Sequence, residues 1–129
     1  MAPTQSQKRA VELAHGNLFD VFGNHDAVSR HKAITSLYHE NGVIYEPNGV
    51  IIKGHDAIDK HIQGLLENNA GWEFKTTGPV KQVQDLVFIA WTFGPNGSPS
   101  LEGADHIIVE DGKIKFVYVQ LGDQADIKL

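Results

Sequence analysis

Two carboxylates in this chain sit where charge is costly. Asp105 lies within residues 101–121 (LEGADHIIVEDGKIKFVYVQL), a run of Val, Ile, Phe and Tyr on either side of Asp111-Gly112. An Asp-Gly pair supplies the φ > 0 conformations of a type I′ turn, so the run is read as one β-hairpin. Pairing Glu110 with Lys113 then sets Val109 opposite Ile114, Ile107 opposite Phe116 and Asp105 opposite Tyr118, all on one face. An unpaired carboxylate among apolar neighbours is expensive. Asp105 is therefore expected to be exposed by curvature, satisfied by donors, or held in a cavity where its charge is used. Glu46 closes a β-branched run, 43–46, just before Pro47-Asn48-Gly49, and alternation puts it on the same face as Ile44.

If Glu46 and Asp105 share a water-poor cavity with His61, Tyr38 and Tyr118, the group forms an acid/base set. Low dielectric raises carboxyl pKa values and can separate them, leaving one carboxyl as base and the other as a neutral hydrogen-bond donor. His61 can replace either, because its unperturbed pKa lies closest to neutral. Tyr38 and Tyr118 can donate to a developing oxyanion, and Phe116 and Phe88 are expected to add apolar lining. Each residue also has a plain reading. Asp105 can be a carboxylate satisfied by Tyr118 or backbone, Glu46 a solvated strand-end residue, His61 an edge-of-core histidine, and Tyr118 purely structural. Trp72 and Trp91 read as core or dimer-interface aromatics. The seven histidines show no HExxH or paired His/Asp spacing, so no metal is expected.

The elements that must position these residues follow from periodicity. Val11, Ala14, Leu18, Val21 and Phe22 fall at helical spacing within residues 7–22, a first amphipathic helix despite Gly16. Asp26 is an N-cap for a second helix whose buried stripe is Ile34, Leu37 and Tyr38, ended by Asn41-Gly42. Runs 43–46 and 50–53 form a tight hairpin with Asn48-Gly49 at its tip. A third helix starts at Gly54, with Ile58, Ile62, Leu65 and Leu66 on one side, Asp56, Asp59, Lys60 and Glu67 on the other, and His61 at the edge. The rest is β: residues 72–81 with a bend at Gly78-Pro79, residues 86–93, and the hairpin, with a polar tail from 122 to 129.

The order ααββαββββ indicates an α+β domain in which a curved antiparallel sheet wraps the helices. At 129 residues the chain is expected to be one domain, 1–129. Its 41% hydrophobic and 21% charged residues suit a soluble globular protein, and no apolar run reaches the roughly 20 residues of a membrane span. No secretory signal is visible at the start, which points to the cytoplasm. A net charge of −5 leaves no basic stripe for nucleic acid. With no cysteine, disulfides and thiolate chemistry are excluded. The hairpin face opposite Asp105 is read as His106, Ile108, Val117, Val119 and Leu121. Two apolar faces imply a second cover, most simply a symmetric partner, hence a homodimer through the outer sheet face.

The chain also resembles a known family in Tyr45-Glu46-Pro47, in the helix start Gly54-His55-Asp56-Ala57-Ile58, and in Gly103-Ala104-Asp105-His106 before Glu110-Asp111-Gly112-Lys113-Ile114. This order and spacing are similar to the SnoaL-like branch of the NTF2-like superfamily, which includes ketosteroid isomerases, polyketide cyclases, and some dehydratases and epoxide hydrolases. The resemblance implies a cone-shaped α+β fold, usually dimeric, with a deep apolar pocket and generally no metal or organic cofactor. It implies that Glu46 stands where ketosteroid isomerases carry the proton-shuttling aspartate, that Asp105 matches their neutral, hydrogen-bond-donating aspartate, and that Tyr38 and His61 line the pocket. The family's first-helix oxyanion tyrosine would fall near Leu18 or Phe19, neither of which can donate, so Tyr118 or Tyr38 would have to substitute. The resulting expectation is a cofactor-independent enzyme, an isomerase, cyclase or dehydratase, acting on a small apolar carbonyl-bearing molecule. The alternative is a non-catalytic ligand-binding or dimerisation module on the same fold.

Overall fold

The computed structural model describes residues 2–128. Thr4 and Gln7 form a reciprocal capping box that starts α1, Gln5–Gly16, which runs on into a π-helical segment, Asn17–Phe22. Asp26 accepts from the Ser29 amide and caps α2, Ala27–Leu37. Strands β1 (Tyr38–Glu46) and β2 (Val50–Lys53) flank the Asn48-Gly49 tip, where both residues have positive φ, 68° and 78°, as a type I′ turn requires. Helix α3 spans His55–Asn68. The remaining strands are β3 (Trp72–Thr76), β4 (Lys81–Val83), β5 (Leu86–Pro95), β6 (Leu101–Glu110) and β7 (Lys113–Leu121). The sheet order is β2-β1-β7-β6-β5-β3, with β4 also on β5. This is the α+β architecture expected from the order of elements.

Three local expectations change. Tyr38 does not end α2 but begins β1, with extended dihedrals, and Asn41-Gly42 falls within a bulge between Tyr38 and Val43. The imidazole Nε2 of His55 lies 3.1 Å from the carbonyl oxygens of both Tyr38 and His39, so the first residue of α3 ties the helix to that bulge. The expected strand 72–81 is two short strands that share the edge of β5. Val11 is exposed; Ala10 and Leu13 take the inward positions of α1. One pairing was not foreseen: β1 runs parallel to β7, with Ile44 beside Val117 and Tyr45 beside Tyr118, while every other pair is antiparallel.

The hairpin register is the correction that matters most. Glu110 pairs with Lys113 and Val109 with Ile114, as expected, but the register then shifts. Ile108 faces Phe116, Ile107 faces Val117, His106 faces Tyr118 and Asp105 faces Val119. Lys115 is the extra residue of a β-bulge, and because side chains alternate with period two, one added residue exchanges the faces of everything beyond it. Val117, Val119 and Leu121 join Asp105 and Ile107 inside, and Phe116 and Tyr118 move outside with His106 and Ile108. The core between helices and sheet joins the fully buried aliphatic residues Leu13, Leu18, Ile34, Ile44, Ile58, Ile62, Ile89 and Ile107 with the buried aromatics Phe22, Tyr38, Phe74, Trp91 and Phe93.

Arg30 fixes the helices to one another. Its guanidinium is buried, with Nε 2.7 Å from Oδ1 of Asp59, Nη1 donating to the carbonyl of Asn24, and Nη2 donating to Gln63. Asp59 and Gln63 lie on one face of α3, four residues apart, and His61 between them points to the opposite side. The clamp thus sets the rotation of α3 and the direction of His61. Replacing Arg30 with Ala leaves Asp59 with His31 alone, Nδ1 3.3 Å from Oδ2, and empties a buried site between the helices; it is expected to cost roughly 3 kcal/mol, measured as a lower urea midpoint at unchanged m-value.

Candidate functional site

A cavity of about 170 Å³ lies between the π-helical segment, the end of β1, α3 and the inner face of β5, β6 and β7. Leu18, Phe22, Phe74, Trp91, Val119 and Leu121 supply apolar walls, and Glu46, His61 and Asp105 are its ionisable residues. The parallel pairing of β1 with β7 brings the end of β1, and so Glu46, to the same inner face as Asp105.

Asp105 is only 4% exposed. The indole Nε1 of Trp91 donates to its Oδ1 at 3.0 Å. This bond depends on Gly103, which pairs with Trp91 across β5 and β6. A Cβ at Gly103 would lie 2.4 Å from the Trp91 ring carbons Cη2 and Cζ2, so only glycine lets the indole lie across β6. Burial pushes the Asp105 carboxyl up to about 7; the Trp91 bond opposes this, the Glu46 charge adds to it, and Asn17 opposes it. With Oδ1 taken by Trp91, the proton of the neutral form belongs on Oδ2. The same buried setting raises the Tyr38 phenol well above its ordinary value, through burial first and the charge of Asp105 second.

Glu46 and His61 form a pair at the side of the cavity, with Nε2 of His61 3.0 Å from Oε2 of Glu46. Their side chains are 23% and 30% exposed, so the pair is within reach of solvent. The bond to His61 orients the carboxylate and leaves Oε1 without a protein partner among the described residues. Among those residues, no group of three His, Cys, Asp or Glu is arranged to hold a metal ion.

Of the residues singled out in the sequence, the structure brings Glu46, His61 and Asp105 together. Tyr38 is fully buried behind them, its hydroxyl donating to Oδ1 of Asn17 at 2.5 Å. The bulge at Lys115 carries Phe116 and Tyr118 to the outer face, where Tyr118 is 44% exposed and stacks on Tyr45 at 4.9 Å. Phe88 is also outside, against His106, because Val87, Ile89, Trp91 and Phe93 occupy the inward positions of β5. Tyr118 is thus unavailable as a substitute oxyanion donor, and Phe88 and Phe116 do not line the cavity. Two residues had been missed. The sequence assigns Trp91 only a packing role, because its pairing with Gly103 exists only once β5 and β6 meet. Asn17 is a polar residue at helical spacing with Leu13, Ala14 and Val21, and an amide on an otherwise apolar stripe marks a buried hydrogen-bonding role.

The profile of the SnoaL-like domain matches residues 16–117, most of the chain, with Glu46, His61 and Asp105 inside the match. The chain belongs to the SnoaL-like family. Solved structures agree on the fold. A provisionally assigned SnoaL-like isomerase from Agrobacterium tumefaciens superposes with a TM-score of 0.81 at 19% identity, covering 88% of this chain and 97% of that one. A provisionally assigned SnoaL-like polyketide cyclase from Jannaschia gives 0.77 at 10% identity over 95% and 91%. A provisionally assigned ketosteroid isomerase from Kribbella flavida gives 0.70 at 14% identity over 95% and 84%. At such identities the likeness extends to the fold, NTF2-like, and not to the chemistry. A search of curated proteins finds no match. No helix among the described residues is long and apolar enough to cross a membrane.

The position of Asp105 in this SnoaL-like fold has a measurable consequence. Its folded pKa, about 7, lies above its unfolded value of 3.8. Between these values the folded state binds the extra proton, so stability is fully present below about pH 4 and is lost as pH rises through about 7. The loss is at most about 4 kcal/mol. Denaturation midpoints measured from pH 4 to 8 are expected to fall in the native protein and to flatten in Asp105→Asn, which keeps the shape without the charge.

Proposed function

We propose that this SnoaL-like protein is an enzyme that moves a proton on a small, uncharged, carbonyl-bearing molecule using its own side chains. The observation that carries the reading is the convergence of Glu46, His61 and Asp105 on one largely apolar cavity. Glu46, oriented by His61, takes a proton through Oε1 from the carbon beside the carbonyl. The bonding electrons pass into an enolate, whose oxygen is held by the Oδ2 proton of neutral Asp105. Return of the proton to another carbon isomerises the substrate; departure of a β-hydroxyl as water, taking the proton from Glu46, dehydrates it; and attack of the enolate carbon on a second carbonyl, whose oxygen then takes that proton, cyclises it.

Size and charge narrow the substrate. A cavity of about 170 Å³ is close to the roughly 150 Å³ that holds benzene and below the roughly 300 Å³ of drug-sized pockets. The buried part of the substrate is therefore about one ring. Two carboxylates and no Lys or Arg in the lining disfavour an anion. Mass spectrometry of ligand co-purifying with the protein, followed by turnover of single-ring enones, tests this. Glu46→Gln and Asp105→Asn are each expected to lower kcat about 10²-fold or more, and native kcat should fall as pH rises through about 7, where Asp105 loses its donor proton. Unchanged turnover in both variants would remove the catalytic reading; tight binding without turnover would favour a ligand-binding module.

We also infer that a second copy of the chain covers the outer face. Tyr45, Phe116 and Tyr118 form an aromatic cluster there, with Phe88 and His106 alongside on β5 and β6, and a self-complementary patch on a sheet face suits a two-fold dimer. Sedimentation is expected to give a dimer at micromolar concentration, and Tyr118→Lys a monomer. A native monomer would overturn this.

A further inference from the structure

We propose that the groove between α3 and the edge strand β2 takes an uncharged apolar chain carried by the ring that enters the cavity, so that the substrate is longer than the cavity alone admits. The groove measures about 640 Å³ and is open to solvent. Ile51 and Ile52 of β2, the last strand on its side of the sheet, form one wall, and Ala57, Gly64 and Leu65 of α3 form the other. His61 and Leu65 border both this groove and the cavity. The two spaces thus meet at the pair that His61 forms with Glu46, where the cavity comes within reach of solvent. A molecule whose ring lies in the cavity has its remaining atoms at the head of the groove.

Gly64 keeps the groove open. It lies in the interior of α3, where glycine is the poorest helix former after proline. A Cβ at Gly64 would meet no atom within 4 Å, so packing does not call for glycine there. Gly16 in α1 is different, because a Cβ on it would lie 2.8 Å from Cδ1 of Leu37. Residues 61, 64, 65 and 68 follow at three- and four-residue steps and share one face of α3, so a side chain at 64 would stand in the groove. Across from it Ile51 is 56% exposed, a large apolar side chain left mostly uncovered. Lys53 and Lys60 are exposed alongside, and their methylene stems can flank an apolar chain while the ammonium groups stay in water. Each methylene that leaves water on binding tightens it up to about fourfold. The proposal rests on reading the cavity as the seat of a carbonyl-bearing ring, but its test needs no turnover.

The experiment is a calorimetric titration of the native protein, Gly64→Leu and Ile51→Gln with cyclohexenone and with cyclohexenones carrying a butyl or hexyl chain. Native protein is expected to bind the hexyl compound about tenfold tighter than the bare ring, or more. Gly64→Leu fills the groove and is expected to abolish that gain, to leave the affinity for the bare ring unchanged, and to raise the melting temperature, because leucine is the better helix former. Ile51→Gln, at an exposed position, should reduce the gain several-fold, and it carries the test if Gly64→Leu weakens binding of the bare ring as well. Equal affinity of native protein for the bare and chain-bearing rings would overturn the proposal, as would a gain that survives both substitutions. A gain confined to chains ending in a carboxylate would assign the groove to its lysines, and altered sedimentation of Gly64→Leu would make it a contact between copies; either result overturns the proposal too. If the gain appears and no compound turns over, the groove stands and the catalytic reading of the cavity falls. If the bare ring turns over and the chain adds nothing, the reverse holds.

Discussion

The cost of burying one carboxylate organises the inner face of this protein. Asp105 lies deep in an apolar sheet, and an ionised group there must be compensated or must hold a proton. The compensation is partial. Trp91 reaches one oxygen because Gly103 leaves room for the indole, and the charge of Glu46 works against it. The outcome is a carboxyl balanced between its two protonation states near neutral pH. Such balance needs rigid walls, which explains why the residues around it are held by bonds of their own: Asn17 by Tyr38, Glu46 by His61, and His61 through the rotation that Arg30 imposes on α3.

The topology makes that arrangement reachable. Residues that meet at the cavity are far apart in the chain, and the parallel contact of β1 with β7 is what joins the N-terminal half to the hairpin. The π-helical turn contributes from a third direction, placing Asn17 behind the cavity and Leu18 and Phe22 at its surface. Helix α3 closes the remaining side and is anchored at its first residue by the bond of His55 to the β1 bulge. The SnoaL-like fold supplies this frame, and the chemistry depends on which side chains the frame directs inward.

Much of the frame was legible in the sequence because it rests on local patterns. The Asp26 cap, the Asn48-Gly49 and Asp111-Gly112 turns, the apolar stripe of α3 and the inward alternation of Ile44 and Glu46 are each encoded within a few residues. What was not legible is set by contacts between distant segments. Nothing local distinguishes Lys115 as a bulged residue, so the regular count sent Phe116 and Tyr118 to the wrong face. Tyr38 reads equally well as the end of a helical stripe, and only the sheet that receives it makes it a strand residue. Asn17 and Trp91 were visible as types but not as partners, because their bonds to Tyr38 and Asp105 join segments far apart in the chain.

The bulge at Lys115 also bears on how such a chain can change over time. Two residues of register separate one inward position from the next, so a single insertion or deletion between the turn and Val117 would exchange the aliphatic lining for the aromatic exterior. Substitutions in this strand alter one neighbour at a time, whereas a change of length rewrites both surfaces at once. The number of residues in the last strand is therefore held by the pocket and the outer face together, and viable changes of length there come in compensating pairs.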